Sequence, residues 1–309
     1  MTHVSACLKV SQASLSMQNF TRFIGVDLGG GRGKKTALAV LERSRDGVTV
    51  TRLAPRAKEA PLYDEALIAA IRERSQDAMV CVDAPLTLPP CLRCSEPVCP
   101  GQNACIDAEV IAMRALAITE PSDRREHRRG KPTITPYTQR ATDLFLRTRG
   151  ILARETLGQG MGPLTARAAH LLRALAPTFR LNDNLIEVFP RATLELSGFR
   201  EPYKKRVDRR IDILAALPDL SFGPGVWREE CRKSDHVFDA VLCAYTGYLR
   251  ERDHWHISAL AADQVDPQGW IWVPPVPAPP NQAAVEKSIN EKEQQPGRKH
   301  TKSERLRSR

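Results

Sequence analysis

Short apolar runs separated by turn residues open the patterned part of this chain. Residues 23–29 (FIGVDLG) are rich in β-branched residues and end in glycine, which is typical of a buried strand. The runs ALAVLER and VTVTRLA follow after tight connections and predict an antiparallel meander with the first strand. Residues 62–74 have apolar positions at helical spacing, and AMVCVDAPL then predicts a fourth strand.

The order strand, strand, strand, helix, strand resembles the opening of the ribonuclease H-like architecture. It predicts an α/β fold with a mixed sheet, in which three antiparallel strands are followed by parallel strands and helices flank the sheet. A doubly wound sheet would instead alternate strands with helices from the start. Later patterns predict helices at 141–152, 164–175, 203–217 and 233–252, a core strand at 185–189 and an edge strand at 270–273.

Changes in composition predict the domain organisation. Residues 1–21 lack the apolar core of a secretory signal and are expected to form a disordered leader. Residues 22–255 are expected to form the ribonuclease H-like domain, with an insertion at 89–140 that holds a cysteine cluster and a basic loop. Residues 256–276 then predict a C-terminal extension. Residues 277–309 predict a disordered basic tail, because a polar, proline-bearing segment cannot bury enough apolar surface to fold.

The charge balance indicates a polyanionic partner. The formal net charge is +10, and nucleic acid is the commonest partner of such proteins, although a soluble basic protein with a charged tail has the same balance. No apolar run approaches the roughly 20 residues that span a bilayer. With no export signal either, we expect a cytoplasmic protein with reduced cysteines that does not bind membranes.

Acidic side chains stand where the predicted strands end. Asp27 and Asp83 end two neighbouring strands, and Glu187 lies in a third apolar strand, where a charge is costly to bury without a partner. Asp235 and Asp239 are four residues apart on one face of the late helix. Each of them alone has a plain alternative role in a turn or helix cap. Together they predict a site for Mg²⁺ or Mn²⁺ that hydrolyses phosphodiesters, because hard divalent cations prefer carboxylate oxygens.

Four short motifs resemble the successive motifs of the domain-of-unknown-function 429 family (DUF429). They are FIGVD at 23–27, VDAPL at 82–86, IEVFP at 186–190 and SDHVFDA at 234–240. That family is regarded as predicted nucleases of ribonuclease H-like fold. The resemblance implies a catalytic role for Asp27, Asp83, Glu187 and either Asp235 or Asp239, and it implies no particular substrate. We expect metal ligands at Asp27, Asp83, Glu187 and Asp239, with Asp235 as an alternative and His236 as a possible proton shuttle or a packed residue.

The glycine-rich turn after Asp27 suggests a different function. The segment GGGRGKKT is similar to the first phosphate loop of actin-like ATPases and sugar kinases. It is not a P-loop, because Lys34 is followed by Lys35 and the next segment is predicted to be a strand. An actin-like nucleotide hydrolase therefore remains an alternative, as does a non-catalytic nucleic-acid-binding protein. In the nuclease interpretation Lys34 is expected to contact a phosphate.

A second candidate metal site lies in the predicted insertion. Cys91, Cys94, Cys99 and Cys105 have the spacing C-x2-C-x4-C-x5-C. Four thiolates in a reducing compartment suit a structural Zn²⁺, while an iron–sulfur cluster or unliganded cysteines are the alternatives.

Basic residues follow the cysteines along the chain. The loop at 124–131 and the segment TPYTQR at 135–140 combine cations with an aromatic ring and an amide, which suits a nucleic-acid backbone and a stacked base. The DUF429 resemblance implies a similar position for Lys131 and for the 137–140 segment. The expected substrate contacts are Lys34, Lys131, Tyr137, Gln139, Arg140 and, with weaker support, Lys204.

Overall fold

Strand β1 lies at the centre of a mixed sheet in the computed structural model, which describes residues 19–31, 35–54, 61–118, 132–257 and 269–275. The strands are β1 (Arg22–Asp27), β2 (Ala37–Ser44), β3 (Gly47–Ala54), β4 (Ala78–Asp83), β5 (Leu185–Val188), β6 (Leu220–Phe222) and β7 (Ile271–Trp272). Their order across the sheet is β6-β3-β2-β1-β4-β5-β7. The β1–β2 and β2–β3 pairs are antiparallel, while β4, β5 and β7 run parallel to β1. The mixed α/β architecture predicted from the sequence is thus confirmed.

Helices flank this sheet. In the part of the chain that the structure describes they are α1 (Asp64–Arg72), α2 (Pro90–Arg93), α3 (Ala108–Ile118), α4 (Ala141–Thr148), α5 (Gly162–Leu175), α6 (Pro190–Leu196), α7 (Val207–Ala216), α8 (Arg228–Lys233) and α9 (Asp235–Arg252). The predicted order of three strands, a helix and a fourth strand is confirmed by β1, β2, β3, α1 and β4.

The alternation of side chains along the strands divides the core into two layers. On one face Phe23, Met79 and Ile186 pack in the same cluster as α9. On the other face Ile24 and Val80 pack with residues of α1 and α5. Because successive residues of a strand point to opposite faces, each central strand contributes to both layers and is apolar along most of its length.

Helix α9 approaches the sheet unusually closely at two glycines. A methyl group on Gly25 would lie 1.9 Å from the carbonyl oxygen of Ala240, and one on Gly247 would lie 2.3 Å from the Cys81 sulfur. Only glycine permits such contact between backbones. The close approach positions the first turns of α9 directly over the end of β1.

The structure differs from the sequence predictions at several places, including the short helices α2, α6 and α8, which were not predicted. The helix predicted at 233–252 is divided at Ser234, whose hydroxyl accepts a hydrogen bond from the Val237 amide at 3.3 Å and thereby begins α9. The helix predicted from Tyr203 begins only at Val207. Strand β6 was not predicted, because its three residues are too few to show a period.

All described residues belong to one compact unit that extends to Pro275. Most of the predicted leader, the basic loop at 124–131 and the predicted basic tail lie outside the described residues. Among the helices that are described, none combines the length and the apolar character needed to cross a membrane.

Candidate functional site

The carboxyl ends of β1 and β4 bring two aspartates side by side. Asp27 and Asp83 are partners in the parallel register of these strands, so both carboxylates stand at the same edge of the sheet. Helix α9 crosses this edge and carries Asp239, whose side chain is only 3% exposed. Three carboxylates from three separate elements therefore converge, as the strand-end pattern predicted for these residues.

These carboxylates line a cleft with a volume of about 370 Å³. Its walls also contain cationic, apolar and other polar side chains, including Leu28, Arg140, Arg154, Leu164, Glu187, Arg191, Tyr203 and Lys204. A smaller cavity of about 240 Å³ shares Arg191, Tyr203 and Lys204 with the cleft and adds Arg200 and Lys205. The acidic centre is thus bordered by a group of cations on one side.

Asp27 is hydrogen-bonded to a histidine from α9. The Nδ1 atom of His236 lies 2.6 Å from Oδ2 of Asp27, and this hydrogen bond raises the pKa of His236. The Nε2 atom of the same ring lies 3.9 Å from Oδ1 of Asp235, which stands at the start of α9. Asp235 is therefore on the rim, one turn before the buried Asp239.

Both oxygens of Asp239 have a donor. The Tyr203 hydroxyl donates to Oδ1 at 2.7 Å, and the Lys204 ammonium lies 3.3 Å from Oδ2. Burial raises the pKa of Asp239 to about 6, although Lys204 opposes the rise. Burial also raises the pKa of the Tyr203 hydroxyl, and the Asp239 charge raises it further, so Tyr203 remains a donor at neutral pH.

Asp83 is the carboxylate whose ionisation is most strongly disfavoured. Burial raises its pKa well above the usual range, and the charges of Asp27 and Asp239 raise it further. The charge of Lys204 acts in the opposite direction. Burial and the neighbouring carboxylates therefore favour the protonated form of Asp83 unless a cation is added beside it.

Glu187 points away from these three residues. It is paired with Val82 in the register of β5 and β4, on the face opposite the Asp83 side chain. Its two oxygens accept hydrogen bonds from Arg140 at 2.7 Å each, and Oε2 also accepts one from the Leu86 amide at 2.9 Å. Asp143 binds the same guanidinium at 3.0 Å. Glu187 is thus neutralised by a buried arginine beside the cleft.

Arg140 is accordingly a buried residue. It is 1% exposed, and both of its terminal nitrogens are bound to acidic side chains. Gln139 is also buried, with its amide nitrogen donating to Glu155 at 2.7 Å. Tyr137 is 54% exposed, as a substrate contact requires. Lys204 lies at the acidic centre itself, and Lys34 and Lys131 lie outside the described residues.

The glycine-rich turn connects two antiparallel strands, β1 and β2, as the sequence predicted. A residue from α5 secures it: Arg167 donates to the Gly29 carbonyl at 2.6 Å and to the Thr36 hydroxyl at 2.6 Å. Arg167 was not singled out from the sequence, because it lies 138 positions after Gly29 on an amphipathic helix. Its pairing with Asp64 at 2.7 Å links the turn to α1 as well.

Two other residues of the cleft were also missed by sequence reasoning. Asp143 follows Arg140 at the i+3 position, and a single charged residue in the mostly apolar run ATDLFL was the available signal. Arg191 follows Pro190, the first residue of α6, shortly after β5 ends. No sequence pattern distinguished it from a surface arginine.

The four clustered cysteines differ from the other described cysteines in their exposure to solvent. Cys91, Cys94 and Cys99 are exposed and Cys105 is partly exposed, whereas Cys81, Cys231 and Cys243 are buried. Across the described residues, no group of three or more His, Cys, Asp or Glu side chains already converges closely enough to hold a metal ion. This holds for the carboxylates as well, since Asp27 and Asp239 are turned toward His236, Tyr203 and Lys204.

Comparison with known proteins identifies the family. Neither the curated proteins nor the solved structures contain a match to the chain. A family model described as "Protein of unknown function (DUF429)" matches residues 25–259, a segment that begins in β1 and extends beyond α9. The match covers most of the chain and includes Asp27, Asp83, Glu187 and Asp239. The protein therefore belongs to the DUF429 family.

Proposed function

We propose that this protein is a metal-dependent nuclease of ribonuclease H-like fold that hydrolyses phosphodiester bonds in nucleic acid. The observation that carries the proposal is the convergence of Asp27, Asp83 and Asp239 from β1, β4 and α9 at one edge of the sheet. The sheet order, with a central β1 between antiparallel β2–β3 and parallel β4–β5, supports the fold assignment.

The donor set fits a hard divalent cation. The converging groups are carboxylates, which Mg²⁺ and Mn²⁺ prefer, and burial together with their mutual repulsion raises the pKa of Asp83 in the absence of a cation. Asp27, Asp83 and Asp239 are the residues that would hold the metal, and His236 and Lys204 occupy two of these carboxylates as monovalent cations when protonated. A divalent cation bound there lowers the pKa of bound water and offsets charge on a phosphate.

The residues around the carboxylates are suited to a phosphodiester. Lys204 is 60% exposed while it contacts Asp239, so its ammonium faces the open cleft and is available to a phosphate oxygen. Arg191 is 65% exposed on the same wall, and Arg154 is exposed on another part of the lining. These cations offset the negative charge that the carboxylates present to an approaching polyanion.

The smaller cavity extends this cationic wall. Arg191 and Lys204 border both cavities, and Arg200 and Lys205 add positive charge farther from the carboxylates. Glu195, which pairs with Arg191, and Glu201 also line the smaller cavity, so basic side chains outnumber acidic ones there. A nucleic-acid backbone that passes along this wall places one phosphate near the acidic centre and its neighbours on the cations. The net charge of +10 favours such a partner over a neutral substrate.

The test is cleavage of a labelled panel of single-stranded, duplex, hybrid and junction substrates with Mg²⁺, with Mn²⁺ and with EDTA. We expect metal-dependent cleavage that Asp83→Asn abolishes. Asp46→Asn is the matched control, because Asp46 is exposed in the turn between β2 and β3 and does not line the cleft. Absence of cleavage with every substrate would refute the nuclease proposal. Salt-sensitive binding that is indifferent to Asp83→Asn would then identify a non-catalytic nucleic-acid-binding protein.

A further inference from the structure

The segment between α2 and α3 is long, exposed and without a core of its own. No residue from Cys91 to Ala108 is buried, and its apolar side chains face solvent: Leu92 is 53% exposed, Val98 80% and Ile106 84%. A segment that buries no apolar surface gains nothing to offset the entropy of its ordered backbone. Some other interaction must hold it in one conformation.

Protein contacts fix this segment only at its two ends. At the start, the Cys91 amide donates to the Pro136 carbonyl at 3.1 Å. Near the end, Arg114 of α3 donates to the carbonyls of Gln102 at 2.5 Å and Cys105 at 3.0 Å. Between these anchors, residues 95–100 (SEPVCP) make no hydrogen bond with other described residues of the chain.

The four cysteines of the segment stand at these anchors and between them. Cys91 is in α2, and Cys94 is the first residue after this helix. The two cysteines are three positions apart and therefore lie on the same side of the helical turn. Cys105 packs against the main core, so its backbone is fixed. Burial raises the pKa of the Cys91 thiol, and the charges of Cys99, Cys105 and Cys94 raise it further, which is consistent with four thiols close in space.

We propose that Cys91, Cys94, Cys99 and Cys105 bind one structural Zn²⁺ that orders residues 91–108. Four thiolates satisfy the tetrahedral preference of zinc, and their spacing of two, four and five residues suits a short, closed site. The four sulfurs are not yet arranged around a single metal position. Metal binding therefore requires residues 91–108 to close further. Three of the four cysteines are exposed, which zinc tolerates because it has no redox chemistry.

The zinc site is connected to the carboxylate cleft through the protein. Arg93, between two of the proposed ligands, forms an ion pair with Glu109, and the other oxygen of Glu109 accepts from the Ala141 amide at 3.0 Å. The preceding residue, Arg140, binds Glu187. Zinc therefore supports the wall of the cleft from outside and takes no part in the proposed reaction.

The test is metal analysis of the full-length protein purified without chelator. We expect about one zinc per chain, lost in Cys94→Ser and in Cys99→Ser and retained in Glu96→Gln, an exposed change in the same loop. Asp83→Asn is expected to keep its zinc, which separates this site from the carboxylate centre.

A second measurement covers the case in which the cysteine variants do not fold. In the wild-type protein, Zn²⁺ is expected to protect the four cluster thiols from alkylation, and Co²⁺ is expected to give the intense thiolate charge-transfer absorption of a tetrahedral site. Alkylation of all four thiols at the same rate with and without zinc would overturn the proposal. Iron with acid-labile sulfide in the purified protein would also overturn it in favour of a cluster.

Discussion

His236 and Asp27 are separated by 209 positions in the sequence, yet Nδ1 of the histidine lies 2.6 Å from Oδ2 of the aspartate. The hydrogen bond raises the pKa of His236, so the ring stays charged to a higher pH than a free histidine. A charged imidazole competes with a divalent cation for the same carboxylate. The same competition applies to Lys204 at Asp239.

This relationship predicts a pH dependence of metal binding. As the pH rises through the raised pKa of His236, the ring loses its charge and the competition ends, so Mn²⁺ is expected to bind more tightly. His236→Gln removes one of the titrating groups and is expected to reduce this dependence, while the proton on Asp239, whose pKa is about 6, leaves part of it in place. The measurement is Mn²⁺ affinity between pH 5.5 and 8.5 for both proteins, with His254→Gln as a control outside the cleft. Equal slopes for wild type and His236→Gln would contradict the prediction.

The carboxylate cluster is expected to lower the free energy of unfolding in the absence of metal. The pKa of Asp239 is raised from 3.8 to about 6, so the folded state holds this proton more tightly than the unfolded state. The protonated Asp239 carboxyl makes its full contribution to folding stability below pH 4, and this contribution is lost as the pH rises through 6. In EDTA at pH 8, Asp239→Asn is expected to be more stable than the wild type by about 1–3 kcal/mol.

The prediction is checked by urea denaturation at pH 4 and pH 8. The advantage of Asp239→Asn is expected to disappear at the lower pH, where the wild-type carboxyl is neutral. Asp46→Asn, in the exposed turn between β2 and β3, is the control. If Asp239→Asn were less stable than the wild type at pH 8, the Lys204 and Tyr203 contacts would outweigh the repulsion.

Arg140 is expected to be the most costly arginine to remove from this wall. It is 1% exposed and neutralises both Glu187 and Asp143, so Arg140→Met leaves two buried carboxylates without their cation. We expect a loss of about 3–5 kcal/mol in the free energy of unfolding. Arg180→Met is the control, because the Arg180 side chain is 72% exposed in its ion pair and such pairs contribute about 0–1 kcal/mol.

A double variant tests the same network further. In Arg140→Met/Glu187→Gln one of the orphaned charges is also removed, so part of the lost stability is expected to return. A double variant with the summed loss of the two single variants would show that the two residues are not coupled.

The contact between β1 and α9 predicts that Gly25 cannot be replaced. The added methyl of Gly25→Ala would overlap the Ala240 carbonyl, and backbone in a helix cannot move aside as a side chain does. We expect a loss of more than about 3 kcal/mol, above the roughly 1–3 kcal/mol typical of overpacking. Gly162→Ala, with open space around the new methyl at the start of α5, is the control and is expected to leave the midpoint of thermal unfolding nearly unchanged.

The sequence was sufficient to predict the order of β1 to β4 and α1, because each of these elements shows its own period. It also predicted the meeting of Asp27 and Asp83, since parallel neighbours end at the same edge. The four-residue spacing put both Asp235 and Asp239 on one face of α9, and the structure shows that Asp239 is the one that lines the cleft. These predictions depend on patterns within single elements and on simple topology.

The partner of Glu187 could not be predicted in the same way. The sequence showed that a carboxylate in the apolar run LIEVF needs a partner, but a metal and an arginine satisfy that requirement equally well. Arg140 lies 47 positions earlier in the sequence, at the start of α4, and no local sequence pattern connects it with Glu187. The role of Glu187 as a metal ligand stays a prediction, and its observed partner is the guanidinium.

Helix α9 supplies the last of the three carboxylates to be synthesised. Asp27 and Asp83 precede α9 in the chain, so the ribosome makes them before α9. The two edge strands of the sheet, β6 and β7, also come from the later half of the described chain. A nascent or truncated chain that ends before α9 therefore lacks the third carboxylate, and the full acidic centre cannot form until α9 has been synthesised.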